Sequence, residues 1–133
     1  MELNERLAVD TNTVIDLIRR GIPPASAFRS DRTILLPLPV LGELFAGAYA
    51  STRKADNVAA LERVIAKWTV VSPDRETARE YGRVRSLLRE MPNATQARRN
   101  DLWIAALCIQ HNVPLLTNDS GFDVIPALTV VRS

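Results

Sequence analysis

Short apolar runs alternate along this chain with longer stretches whose apolar residues recur every three or four positions. The first run, Leu7-Ala8-Val9, ends at Asp10 and reads as a buried strand. Thr11-Asn12-Thr13 then offers capping side chains to a helix with Val14, Ile15, Leu17 and Ile18 as its apolar face. Gly21 and the pair Pro23-Pro24 end it, and a short helical segment is expected around Ala25 to Arg29. Thr33 to Leu36 reads as a second strand. After Pro37 and Pro39 comes a helix with Val40, Leu41, Leu44, Phe45 and Ala48 on one face. Glu43 sits on the flank of that stripe, beside Val40 and Gly47.

The pattern continues in the second half. Ser51 to Lys67 reads as a helix with Val58, Leu61 and Ile65 inward, followed by a strand over Trp68 to Val71. Ser72-Pro73-Asp74 starts a helix from Arg75 to about Met91, with Ala78, Tyr81, Val84, Leu88 and Met91 as its inner stripe. Its outer face carries Arg75, Arg79 and Arg83, with Glu76, Glu80 and Glu90 able to neutralise them. Pro92 to Arg99 is a polar loop. The stretch from Asn100 to Ile109 is apolar on every side, as in a buried helix. Val113 to Leu116 is a further strand, Ser120 to Asp123 a turn, and Leu128 to Val131 a last strand. Alternating short strands and helices imply an α/β fold with a mostly parallel sheet of about five short strands, helices covering both faces. No repeat or linker divides residues 1–133, so a single domain is expected.

Composition narrows the chemistry. With 133 residues there is room for one domain with a real core, and 47% hydrophobic residues suit a soluble globular protein. The one cysteine, Cys108, falls in the apolar helix and excludes an internal disulfide; the one histidine, His111, closes that helix. Zinc sites rich in Cys and His, and nucleophile schemes built on Ser-His or Cys-His pairs, are poorly supported. The first residues lack a signal-peptide core, and the longest apolar stretch, Ile34 to Ala50, is interrupted by Pro37, Pro39 and Glu43. A cytoplasmic protein without a membrane span is the expectation. All but two of the seventeen basic residues are Arg. If four acids gather in one pocket, eleven remain and the rest of the surface has an excess of six positive charges, suited to a polyanion.

Four acids stand where an α/β sheet binds ligands, beyond the carboxyl ends of its strands. Asp10 follows the first strand and Asp119 follows the strand ending at Leu116. Glu43 and Asp101 lie early in helices that leave that edge. Each has a plainer reading: Asp10 and Asp101 as helix caps, Glu43 as an exposed helix residue, Asp119 as a turn residue. For Asp123 the turn reading is preferred. Converging carboxylates repel one another, and a hard divalent cation such as Mg²⁺ or Mn²⁺ relieves that repulsion through oxygen ligands. Acids without accompanying His or Cys fit phosphodiester hydrolysis by metal-activated water better than zinc hydrolysis.

Four segments, taken in order, are Leu7-Ala8-Val9-Asp10-Thr11-Asn12, Leu41-Gly42-Glu43-Leu44, Asn100-Asp101-Leu102-Trp103-Ile104-Ala105-Ala106 and Leu115-Leu116-Thr117-Asn118-Asp119. With Phe122 and Ile125-Pro126-Ala127-Leu128, they give a chain that resembles the PIN-domain family, and within it the VapC-type toxins of toxin–antitoxin modules. The resemblance implies a metal-dependent endoribonuclease in which Asp10, Glu43, Asp101 and Asp119 are the catalytic and metal-binding acids. It also implies that Thr11, Asn12, Thr117 and Asn118 orient acids, water or phosphate, that the protein forms homodimers, and that a cognate antitoxin silences it. Arg98 and Arg99, just before Asp101, are the expected RNA contacts.

The contrasting hypothesis is a non-catalytic RNA-binding or signalling α/β module. A receiver-like domain also gathers acids at the strand edge, but it needs a Lys at the end of a late strand. The two lysines here, Lys54 and Lys67, fall in the middle helix.

Overall fold

The computed structural model describes residues 6–21, 32–91 and 99–132. The helical segment expected around Ala25 to Arg29, the pair Pro23-Pro24, and most of the polar loop, Arg98 included, lie outside the described residues.

Five strands form one sheet in the order β3-β2-β1-β4-β5: β1 Arg6–Val9, β2 Thr33–Pro37, β3 Thr69–Val71, β4 Leu115–Leu116 and β5 Val130–Val131. Every pairing is parallel. Among the described residues five α-helices accompany them: α1 Thr11–Arg19, α2 Leu38–Ala50, α3 Lys54–Lys67, α4 Arg75–Arg89 and α5 Arg99–His111. The central strands read as continuous apolar runs because parallel sheets are buried on both faces. Leu7, Ala8, Val9, Ile34, Leu35 and Leu36 are all buried. β1 has β2 on one side and β4 on the other, so the chain leaves β1 toward one half of the sheet and returns much later to the other half. That reversal is where α/β sheets open a crevice.

α5 runs through the core: Leu102 and every residue from Ile104 to Cys108 are buried. Burial pushes the Cys108 thiol up to about 12, so it packs as a small apolar group. α4 lies against α5 through a stacked Tyr81–Trp103 pair with ring centroids 4.3 Å apart. Among the described residues, no helix is long and apolar enough to cross a membrane.

Several boundaries differ from the expectation for local reasons. α3 begins at Lys54, not Ser51, because Ser51 caps α2; its hydroxyl donates to the Ala48 carbonyl at 2.7 Å. Val64 rather than Ile65 is the buried partner of Leu61. Trp68 is the C-cap of α3, and β3 starts one residue later. In α4 the buried inner residues are Thr77 and Val84, whereas Ala78, and Met91 just past the helix, are exposed. Thr77 turns inward because it completes a capping box with Asp74 and bonds Gln110 of α5. β4 is only two residues long; Pro114 before it has no N–H to give a ladder and contributes its carbonyl to Ala8 N at 2.9 Å. Arg99 belongs to α5, not to the preceding loop.

Candidate active site

Asp10 leaves β1 in extended conformation and caps α1. Its Oδ1 accepts from the Thr13 amide at 2.9 Å, and its Oδ2 accepts from the hydroxyl of Thr117. Only 4% of Asp10 is exposed, so both bonds matter to a carboxylate that would otherwise lose its hydration unpaid. Asp10 is thus a helix cap through one oxygen, while the other is tied to Thr117 across the sheet.

Thr117 is fully buried just past β4. Its hydroxyl serves twice, donating to Asp10 and accepting from the Asp119 amide at 3.0 Å. Thr13 ties α1 to the same point, its hydroxyl donating to the Leu116 carbonyl at 3.2 Å. Asp119 in turn caps the single-turn 3-10 helix Ser120–Phe122, its Oδ1 accepting from Gly121 N at 2.8 Å. A Cβ at residue 121 would stand 3.2 Å from that oxygen, so a larger residue there would press on the carboxylate by a few tenths of an ångström. Asp119 is therefore a turn residue, as its plainer reading had it.

Glu43 extends from the second turn of α2. Oε1 accepts from the Thr11 hydroxyl at 2.5 Å and Oε2 from the Asn100 amide at 3.2 Å. One turn on, Gly47 has no atom within 4 Å of its Cβ direction, leaving open space beside the glutamate. Asp101 stands in the first turn of α5, half-buried.

These elements enclose a cleft of about 150 Å³ lined by Asp10, Glu43, Asp101 and Asp119, with Thr11, Asn12, Ile104 and Phe122 completing the wall. Among the described residues that line it, none is cationic. The four acids thus face one space, yet among the described residues no group of three or more His, Cys, Asp or Glu is arranged to hold a metal ion. Asp10, Glu43 and Asp119 each give oxygens to protein donors.

Of the other polar groups singled out in the sequence, Thr11 and Asn12 line the cleft and Thr117 lies behind it. Asn118 is exposed and is not part of the wall. Arg99 is exposed at the start of α5. The outer arginines of α4 pair with their own helix: Arg79 with Glu76 at 2.8 Å and Arg83 with Glu80 at 2.9 Å. Two contributors had escaped the sequence reading. Asn100, which opens the apolar stretch, gives its side-chain amide to Glu43, and Thr13, expected only as a capping residue, also bonds β4.

Residues 7–128 match the family model of the PIN domain. Ribonuclease VapC5 of Mycobacterium tuberculosis is 35% identical over 95 residues, spanning 69% of this chain and 68% of that protein. The chain belongs to the PIN-domain family, among the VapC toxins. VapBC-5 of M. tuberculosis, a toxin–antitoxin system, contains a chain 29% identical with a TM-score of 0.74, matched over 97% of this PIN domain and 99% of that chain. VapBC2 of Rickettsia felis, solved on promoter DNA, shares the fold with a TM-score of 0.85 at 24% identity, over 96% of this PIN domain and 98% of its own chain. Membership supports ribonuclease-toxin function, and hence hydrolase chemistry, in general terms.

Proposed function

We propose that this PIN domain is an endoribonuclease toxin that hydrolyses RNA phosphodiester bonds with Mg²⁺ or Mn²⁺, and that a cognate antitoxin protein controls it. One observation carries the reading: four carboxylates line a single cleft at the sheet's switch point. An all-oxygen, anionic donor set fits a hard divalent cation. Asp10 and Asp101 are the proposed principal ligands, with Glu43 and Asp119 completing the set directly or through water. When bound, such an ion supplies Lewis acidity toward a phosphoryl oxygen and toward water.

The chain's own residues do the rest. Thr117 and the Thr13 amide hold the Asp10 carboxylate in one orientation. Thr11 and Asn100 do the same for Glu43. Each Glu43 oxygen has a second lone pair, and one facing the cleft can take a proton or a hydrogen bond from water. Ile104 and Phe122 supply the apolar part of the wall and limit water beside the acids. The expected products carry 5′-phosphate and 3′-hydroxyl ends. The antitoxin is proposed from the VapBC relatives, toxin–antitoxin systems by their names; a homodimeric state is proposed from the family resemblance alone.

The deciding experiment is sequencing of RNA ends after brief expression of the protein without any antitoxin. Wild type should arrest growth and leave new 5′-phosphate ends, and Asp10→Asn should do neither. RNA binding without new ends would support the non-catalytic reading instead. Equal growth arrest by a well-folded Asp10→Asn protein would also count against a nuclease.

A further inference from the structure

The segment from Thr117 to Asp123 carries Asp119 into the cleft, and it is gripped from outside by one side chain. Arg132 follows β5, the strand that pairs with β4. Its Nη1 donates to the Thr117 carbonyl at 2.7 Å and lies 3.4 Å from the Asp119 carbonyl. Its Nη2 pairs with Oδ1 of Asp123. Asp123, read in the sequence as a plain turn residue, is thus the anchor of a guanidinium that spans the whole segment.

We propose that Arg132 is a positioning residue for the cleft, holding the 117–123 segment so that Asp119 and Asp10 keep their relative placement. Thr117 links the two effects. Its carbonyl is held by Arg132, and its hydroxyl holds Asp10 and receives the Asp119 amide. A planar fork with five donors reaches two carbonyls and a carboxylate together, whereas an ammonium is a point charge on a flexible stem. The Arg132–Asp123 pair is 41% and 49% exposed, so its contribution to global stability is small. Its effect is on the geometry of one loop. The consequence for turnover rests on the nuclease reading above; the bracing itself does not.

The test uses Arg132→Gln, Arg132→Lys and Asp123→Asn beside wild type. Native-state hydrogen exchange on the metal-free protein reads the loop, through the Asp119 and Gly121 amides that bond Thr117 and Asp119. RNA cleavage with Mn²⁺ reads kcat and KM separately. In Arg132→Gln both amides should exchange about tenfold faster while Tm moves by no more than about 2 °C. Its kcat should fall about tenfold with KM for RNA within about twofold, the mark of displaced groups rather than lost binding. Arg132→Lys should not restore kcat, and Asp123→Asn should lie between it and wild type.

Unchanged exchange in Arg132→Gln overturns the proposal. So does a rise in KM alone, which would make Arg132 an RNA contact, and so does full activity in Arg132→Lys. Should Arg132→Gln fail to fold, the lysine and Asp123→Asn variants carry the same comparison. If wild type cleaves no RNA, the nuclease reading fails, and the bracing is still decided by the exchange rates.

Discussion

Thr117 and Asp10 stand 107 residues apart in sequence, and the threonine hydroxyl donates to the aspartate carboxylate in the protein interior. The bond joins the ends of β1 and β4, neighbouring strands that diverge into the cleft. Since the same hydroxyl also receives the Asp119 amide, its removal strands a buried acceptor and a donor together.

Thr117→Val keeps the shape of the side chain and deletes that hydroxyl. Leaving a buried polar group unsatisfied costs about 1–3 kcal/mol. The variant should unfold at lower urea with an unchanged m-value, and Thr117→Ser should recover most of the loss. A valine variant as stable as wild type would mean that water replaces the hydroxyl on Asp10.

Divalent metal should stabilise the protein. Binding to the folded state alone raises stability by about 2.7 kcal/mol at a hundredfold excess over Kd. The gain in Tm with Mg²⁺ or Mn²⁺ should shrink in Asp101→Asn, which removes one charge from the cleft wall. Without metal, Asp101→Asn should match or exceed wild type in Tm, because the remaining acids repel one another less. An equal metal-dependent gain in both proteins would remove Asp101 from the ligand set.

RNA affinity should depend on salt through Arg98 and Arg99. Each phosphate contact to a single strand contributes about 0.7 to the slope of log affinity against log salt. In an Asp10→Asn background, which prevents cleavage, the Arg98→Ala/Arg99→Ala protein should show a flatter slope and unchanged metal binding. Arg79→Ala/Arg83→Ala should leave the slope alone, since both arginines already pair with Glu76 and Glu80. A flattened slope in this second variant would move the RNA path to the outer face of α4.

Acid should loosen the joint between α4 and α5. The Thr77 amide at the start of α4 holds the Asp74 carboxyl below its ordinary value of 3.8, helped by side-chain bonds from Gln110 and Thr77 and by the Glu76 amide; partial desolvation opposes them. A carboxylate with a lowered folded-state pKa adds stability that is complete above its unfolded value. That stability is lost as pH falls through the lowered one. Asp74→Asn should therefore show a shallower fall in urea midpoint below about pH 4 than wild type. Parallel acid limbs for the two proteins would place the sensitivity elsewhere.

The sheet and the acids were legible in the sequence for a shared reason. Buried parallel strands are short apolar runs, and each of the two that frame the cleft ends on a run of polar residues, Asp10 and Thr11 after one, Thr117 to Asp119 after the other. Local spacing also exposed the buried character of α5. What escaped were partnerships between segments far apart. Asn100 reaches Glu43 across 57 positions, and Thr13 reaches Leu116 across 103. A polar residue has the same local signature whether it caps its own helix or bonds a distant one. Thr77 was missed because helical periodicity favours an apolar neighbour, Ala78, while the hydrogen bonds to Asp74 and Gln110 turn the threonine inward.

The placement of β1 between β2 and β4 has a temporal side. A ribosome delivers Asp10 and Glu43 well before Asp101, Thr117 and Asp119. A nascent chain can pair β1 with β2 and β3 long before β4 exists. During that interval Asp10 lacks Thr117, Glu43 lacks Asn100, and no cleft is enclosed. Translation products that stop before Thr117 therefore carry an incomplete wall, and the site comes into being only once β4 and the residues after it have been made.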